Sequence, residues 1–207
     1  MSIDEGYVKY LSDWTTGPAL SGGLISSLTE WRRTLYQAGL IGHYPHLGVG
    51  YGNISIRSGD SGQFIISGTQ TGHLQETGPE HYALVTGYDI ADNRVSSTGP
   101  VPASSEALTH AAIYELDSGI HAVVHMHSEK LWQQYKHCMP TTATDVAYGT
   151  PEMAAEFVRL YRDSNFRSGG IAVMAGHAEG LVSIGATLEE AAMRMLRLNE
   201  SSVQNPQ

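Results

Sequence analysis

Hydrophobic positions along the chain alternate between two textures, a helical period and short alternating runs. Leu24, Ile25, Leu28, Trp31, Leu35 and Leu40 recur at helical spacing around Arg32 and Arg33, predicting a helix over residues 20–40 that ends at Gly39 and Gly42. Ahead of it, Tyr7, Tyr10, Leu11 and Trp14 precede a Thr-Thr-Gly-Pro break and predict a short leading helix within residues 1–19. After Gly42 the texture changes. An alternating strand is predicted over 54–57, a turn over 58–62, a return strand over 63–67, and a further strand over 81–88 with a turn at 89–94.

Residues 105–116 read as a helix stopped by Gly119, and 120–127 as a buried strand. Thr150 as N-cap, Pro151 at the first helical position and Glu152 in the first turn start a helix over 151–161. Strands over 171–174 and 181–184 are separated by Gly176 to Gly180. Thr187 caps a last helix through Leu198, with Glu189 and Glu190 at its positive end. The order is a mixed α/β pattern without repeats or a composition break, so residues 1–207 are taken as a single domain.

Composition narrows the function. The 207 residues carry 12 Lys and Arg against 21 Asp and Glu, a net charge of −9. That balance argues against a nucleic-acid partner or an anionic membrane surface, because both need clustered positive charge. At 41% hydrophobic and 16% charged residues, the chain has enough apolar side chains for a core. One cysteine, Cys138, excludes an intrachain disulfide framework and fits a reducing compartment. With no basic and apolar leader at Met1–Glu5 and no run of about 18 apolar residues, a soluble cytoplasmic protein is expected.

The chemistry concentrates in a few short segments. In Val123-Val124-His125-Met126-His127 the strand period of two puts both imidazoles on one face, where a single divalent metal accepts both. Gly176-His177-Ala178-Glu179-Gly180 offers two candidates for a third ligand. In an extended segment His177 and Glu179 point the same way, one to ligate and the other to act as base or orienting partner. Ser105 is the natural cap of the 105–116 helix. Glu106 then reads either as a complement to the helix dipole or as a general acid/base beside the metal. Gly50-Tyr51-Gly52-Asn53 and Ser67-Gly68-Thr69 are small amide-exposing turns which, with Ser104 and Ser105, can cradle a phosphate without a basic residue. His43, His46, His73, His81, His110, His121 and the His137–Cys138 pair carry no partner pattern and are assigned to structure or surface.

Gly52-Asn53-Ile54-Ser55, Ser67-Gly68, Ser104-Ser105-Glu106, His125-Met126-His127 and the late His/Gly turn occur in one order. That order over residues 22–198 is similar to the class II aldolase/adducin-head family. The resemblance implies a three-layer α/β/α sandwich around a mostly antiparallel sheet, assembled as a homotetramer. It further implies zinc or another divalent ion held by His125, His127 and His177, with a His/His/Glu179 set as the alternative. Gly52, Asn53, Ser67, Gly68, Ser104 and Ser105 would line a phosphate pocket, and Glu106 would be the acid/base. In some members a tyrosine from a neighbouring subunit acts as acid, for which Tyr148 is the candidate. The implied activity is metal-dependent retro-aldol cleavage of a small, phosphorylated keto-sugar. A sugar-phosphate epimerase or dehydratase on the same metal, or a non-catalytic adducin-like interaction module, stands as the alternative. Thr69-Gln70-Thr71 is uncharged where some branches place a basic residue.

Overall fold

The structure is a computed structural model that describes residues 6–59 and 62–204. Its elements begin with β1 (Leu11–Thr16), α1 (Gly22–Gln37) and a short pair, β2 (Gly42–Tyr44) and β3 (Val49–Tyr51). Four strands follow: β4 (Asn53–Arg57), β5 (Phe64–Ser67), β6 (Tyr82–Asp89) and β7 (Arg94–Gly99). Next come α2 (Ala107–Leu116), β8 (Ala122–His127), α3 (Glu129–Tyr135), α4 (Pro151–Asp163) and the single turn α5 (Phe166–Gly169). The chain closes with β9 (Ile171–Val173), β10 (Gly180–Gly185) and α6 (Leu188–Gln204).

Eight strands form one sheet in the order β1-β7-β6-β5-β4-β8-β10-β9, antiparallel throughout except for the β1–β7 pair. Two apolar clusters cover its two faces. One joins Ala107, Leu108 and Ala111 of α2 with Met153, Phe157 and Leu160 of α4 and Phe166 of α5 over Phe64, Val123 and Val182. The other joins Leu28 and Leu35 of α1, Leu131 of α3 and Ala191 and Met195 of α6 over Ile54, Val124 and Met126. Alternate residues of β8 thus serve opposite layers, giving the α/β/α sandwich with a mostly antiparallel sheet that the resemblance implied.

Several boundaries match their capping chemistry. The Thr150 hydroxyl accepts the Met153 N–H at 3.3 Å, and Thr187 Oγ1 accepts the Glu190 N–H at 3.1 Å. At α2 the expectation fails. The helix begins at Ala107 with Glu106 in the cap position, and it is the Ser104 hydroxyl that accepts the Glu106 N–H, at 3.3 Å. The Ser58 N–H donates to the Gln63 carbonyl at 2.8 Å across the predicted 58–62 turn, whose Asp60 and Ser61 lie outside the described residues.

The leading helix predicted within residues 1–19 is instead the edge strand β1, residues 1–5 being outside the described part. The i, i+3, i+4, i+7 spacing of Tyr7, Tyr10, Leu11 and Trp14 imitates a helical face. Yet Tyr7, Leu11 and Trp14 remain exposed, so no helix face is buried there. Open backbone groups of β7 capture the segment instead. No described helix is long and apolar enough to cross a membrane.

A buried charge ties α1 to the loop after β5. Arg32 is 1% exposed, and its guanidinium donates to the Thr71 carbonyl at 2.7 Å and the Leu74 carbonyl at 2.5 Å. Arg32→Met is expected to orphan both carbonyls and cost about 2–4 kcal/mol, measured by urea denaturation. Amide exchange should accelerate across residues 69–76, and unchanged exchange there would refute this anchoring.

Candidate metal centre

Strand parity turns His125 and His127 toward the α2–α4 layer, on the same side as Val123. His177 reaches them from the turn between β9 and β10. The Nε2 atoms of His125 and His127 are 3.0 Å apart, and those of His127 and His177 are 3.1 Å apart. All three rings are buried, and their ligand atoms lie within 4.8 Å of one another. Room for this convergence comes from Gly180, which stands opposite His127 in the β8–β10 register. A Cβ there would come within 2.7 Å of His177 Cδ2 and 3.2 Å of His125 Cε1.

Hydrogen bonds at the far side of two rings decide where their protons sit. His125 Nδ1 lies 3.2 Å from the Leu181 carbonyl, which only accepts, so Nδ1 carries the hydrogen. The Tyr44 hydroxyl donates to Glu179 Oε2 at 2.6 Å and, with its own proton committed, accepts from His127 Nδ1–H at 3.2 Å. The hydrogen of each ring is therefore on Nδ1, and each Nε2 carries the lone pair. Burial holds His125 down from 6.5 to about 4 and His127 and His177 well below their ordinary value, so protons do not fill the gap. Converging neutral, buried imidazoles are donors that a divalent ion accepts. The donor set suits a divalent ion.

Glu106 stands at the α2 cap with Oε1 3.6 Å from His177 Nε2. Burial pushes its carboxyl up to about 8, against weaker opposing pulls from the Thr109 hydroxyl and the Lys9 ammonium. Neither oxygen makes a hydrogen bond of ordinary geometry among the described residues. The extended reading of residues 176–180 does not hold: Glu179 adopts φ +68°, a left-handed turn that sends its carboxylate to Tyr44 while His177 enters the triad. Of the two candidates, His177 is the one brought to the His pair.

Gly52, Asn53, Gly68, Ser104 and Ser105 surround one polar cleft of about 20 Å³. Asn53 is paired with His125 across β4–β8, so cleft and triad adjoin, and its Oδ1 is buried without a partner among the described residues. Ser67 is a correction. It does not line the cleft, because its hydroxyl is taken by the Ile54 N–H at 3.2 Å between strands β4 and β5.

Four contributors went unrecognised or underweighted in the sequence. Tyr44 and Tyr51 come from the short β2–β3 pair, Tyr51 stacking on His127 with centroids 5.4 Å apart. The Tyr148 ring lies 4.4 Å from that of His177, but its hydroxyl is bonded to the Tyr7 main chain rather than turned to the triad. Lys9 Nζ sits 3.9 Å from the centroid of Tyr148. Only aromatic spacing in the Gly-rich loop after α1 hinted at the first pair, and nothing local marks Lys9.

The family model described as Class II Aldolase and Adducin N-terminal domain matches residues 28–204. No curated protein matches the sequence. Among solved structures, YgbL from Escherichia coli superposes with a TM-score of 0.65 at 22% identity, over 88% of each chain. L-fuculose-1-phosphate aldolase from Thermus thermophilus gives 0.62 at 21% identity, over 87% of this chain and 91% of that one. A sugar-phosphate aldolase from Thermotoga maritima gives 0.65 at 15%, over 88% and 93%. At such identities the likeness establishes the fold.

Proton linkage makes the neutral triad testable in metal-stripped protein. His110, His125, His127 and His177 are all held below 6.5 in the native state, so at lower pH the unfolded chain binds protons that the native chain does not. Stability therefore rises with pH from about 4 to about 6.5. Glu106 works oppositely, keeping its proton up to about 8 when folded and losing it near 4.5 when unfolded, so it lowers stability as pH rises between those values. Four imidazoles outweigh one carboxyl in acid. The melting temperature is expected to peak at about pH 6.5–7 and to fall more steeply on the acid side, and a flat calorimetric profile would contradict neutral rings.

Proposed function

The chain belongs to the class II aldolase and adducin N-terminal domain family, and on that premise we propose that it is a metal-dependent lyase that cleaves a small, phosphorylated keto-sugar by a retro-aldol reaction. The observation that carries this reading is the joint burial of three converging imidazoles and an unbonded carboxyl in one site. A scaffold protein has no physical use for that cost. Sugar-phosphate aldolases among the structural neighbours support the choice of substrate class.

In this reading His125, His127 and His177 hold zinc or another divalent ion. Such an ion, when bound, polarises the carbonyl and hydroxyl oxygens of a substrate as a Lewis acid. Glu106 holds and returns the proton on the carbon beside the carbonyl, the step for which a carboxyl near neutral pKa is suited. Its short reach to His177 keeps that proton next to the reacting end of the substrate. Gly52, Asn53, Gly68, Ser104 and Ser105 bind the phosphate through amides and hydroxyls. Glu179, through Tyr44, fixes the orientation and tautomer of His127. Assembly as a cytoplasmic homotetramer belongs to the same proposal and rests on the family resemblance.

Elemental analysis with steady-state assays on a panel of phosphorylated ketoses tests it. His125→Ala or His177→Ala is expected to abolish zinc and turnover together. Glu106→Gln should keep zinc and lower kcat by about 10²–10⁴-fold. Glu179→Gln should weaken zinc by about 10–100-fold without removing the site. Turnover that persists in zinc-free protein would end the proposal, and a single product in place of two carbon fragments would replace cleavage with epimerisation or dehydration.

A further inference from the structure

The cleft has no Lys or Arg in its lining among the described residues, yet the N-terminal arm that crosses it carries one. Gly6 lines the cleft, its carbonyl accepting from Gln70 Nε2 at 3.1 Å. Tyr10 donates its hydroxyl to the carbonyl of Ser104, another cleft residue, at 2.8 Å. Between them Lys9 places Nζ 3.9 Å from the centroid of Tyr148, the ring that contacts His177. The arm thus runs over both halves of the site.

Its backbone is pinned on either side of Lys9. The Tyr7 N–H and carbonyl both engage the Tyr148 hydroxyl at 3.2 Å. The Lys9 carbonyl accepts from Asn93 Nδ2 at 2.9 Å, and the Leu11 N–H donates to the Asn93 carbonyl at 2.7 Å. With the main chain fixed, the half-buried Lys9 side chain is held against the ring that contacts His177. Its field already reaches Glu106 and His177, favouring the carboxylate of one and disfavouring the imidazolium of the other.

We propose that Lys9 is a substrate-binding residue whose ammonium pairs with an oxyanion of the substrate, phosphate or carboxylate, lying between the glycine-serine cleft and the histidine triad. This rests on reading the site as one for an anionic substrate. Lys9 adds a charge-assisted partner to the amides and hydroxyls of the cleft. An ammonium that packs on the Tyr148 ring forms a stronger, charge-assisted contact with an oxyanion than with a ring quadrupole.

The test titrates zinc-loaded wild type, Lys9→Met and Lys9→Arg calorimetrically with inorganic phosphate and, separately, with glycolate. Zinc content and melting temperature are recorded for each protein. Lys9→Met is expected to weaken at least one anion by about 10-fold or more and to flatten its salt dependence. Lys9→Arg should retain most of the affinity, and zinc content should not change. Which anion responds tells phosphate from carboxylate. Equal affinities of wild type and Lys9→Met for both anions would overturn the proposal, as would no measurable binding of either anion to wild type at about 10 mM, since a charge-assisted contact on top of the cleft's amides should exceed that affinity. Repeating the titrations after chelation separates the two readings. Loss of anion binding in Lys9→Met of a protein that never holds zinc keeps this inference and ends the metal reading, whereas zinc binding with Lys9-independent anion affinity does the reverse.

Discussion

Three neutral imidazoles facing one another inside a desolvated layer are the constraint around which the surrounding structure is arranged. Protonating them is disfavoured by burial, which leaves neutral donors converging as a divalent ion requires. Holding it in place takes contributions from distant segments. The β8–β10 register sets Gly180 against His127, the Leu181 carbonyl fixes one tautomer, and Glu179 fixes another through Tyr44. The short β2–β3 pair has almost no core of its own. Its role is to put two tyrosine rings against His127.

The same low dielectric couples the acid to the metal. An isolated carboxyl as buried as Glu106 keeps its proton near neutrality and is then a poor base. Positive charge a few ångströms away reverses that preference, because the interaction is little screened there. In the proposed function, the ionisation of Glu106 is therefore conditional on a filled site. On that proposal, metal dependence and acid sensitivity have one cause, that the rings and the carboxyl share one dry volume.

Local sequence disclosed those parts of the site whose chemistry is local. The His-x-His spacing on an apolar strand needs only the period of two, and the Thr150-Pro151 start of α4 needs only its caps. The choice between His177 and Glu179 turned on a single left-handed residue that composition does not reveal, since Glu rarely adopts that φ. β7, with its Arg-Val-Ser-Ser-Thr-Gly run, is too polar to stand out as a strand, and without it β1 had no visible partner and read as a helix. Ser67 shared a motif with Gly68, yet adjacent strand residues face opposite sides, and its hydroxyl was spent on the backbone.

Contributions from Lys9 and Tyr148 are a different kind of omission, because they exist only once two segments far apart along the chain have been brought together. Their separation along the chain is 139 residues (148 − 9), and no periodicity links them. β1 explains how they meet. All six of its residues are exposed, so hydrophobic burial gives it little reason to form. It is held by backbone pairing to β7 and by Asn93, whose left-handed φ of +49° lets one residue bind both Lys9 and Leu11. A strand that adds so little core is best understood by what it aims. Anchoring Leu11 to Thr16 on the sheet edge helps hold residues 6–10 as a strap beside the cleft, and Lys9, the one cation among those five, lands on the ring beside His177.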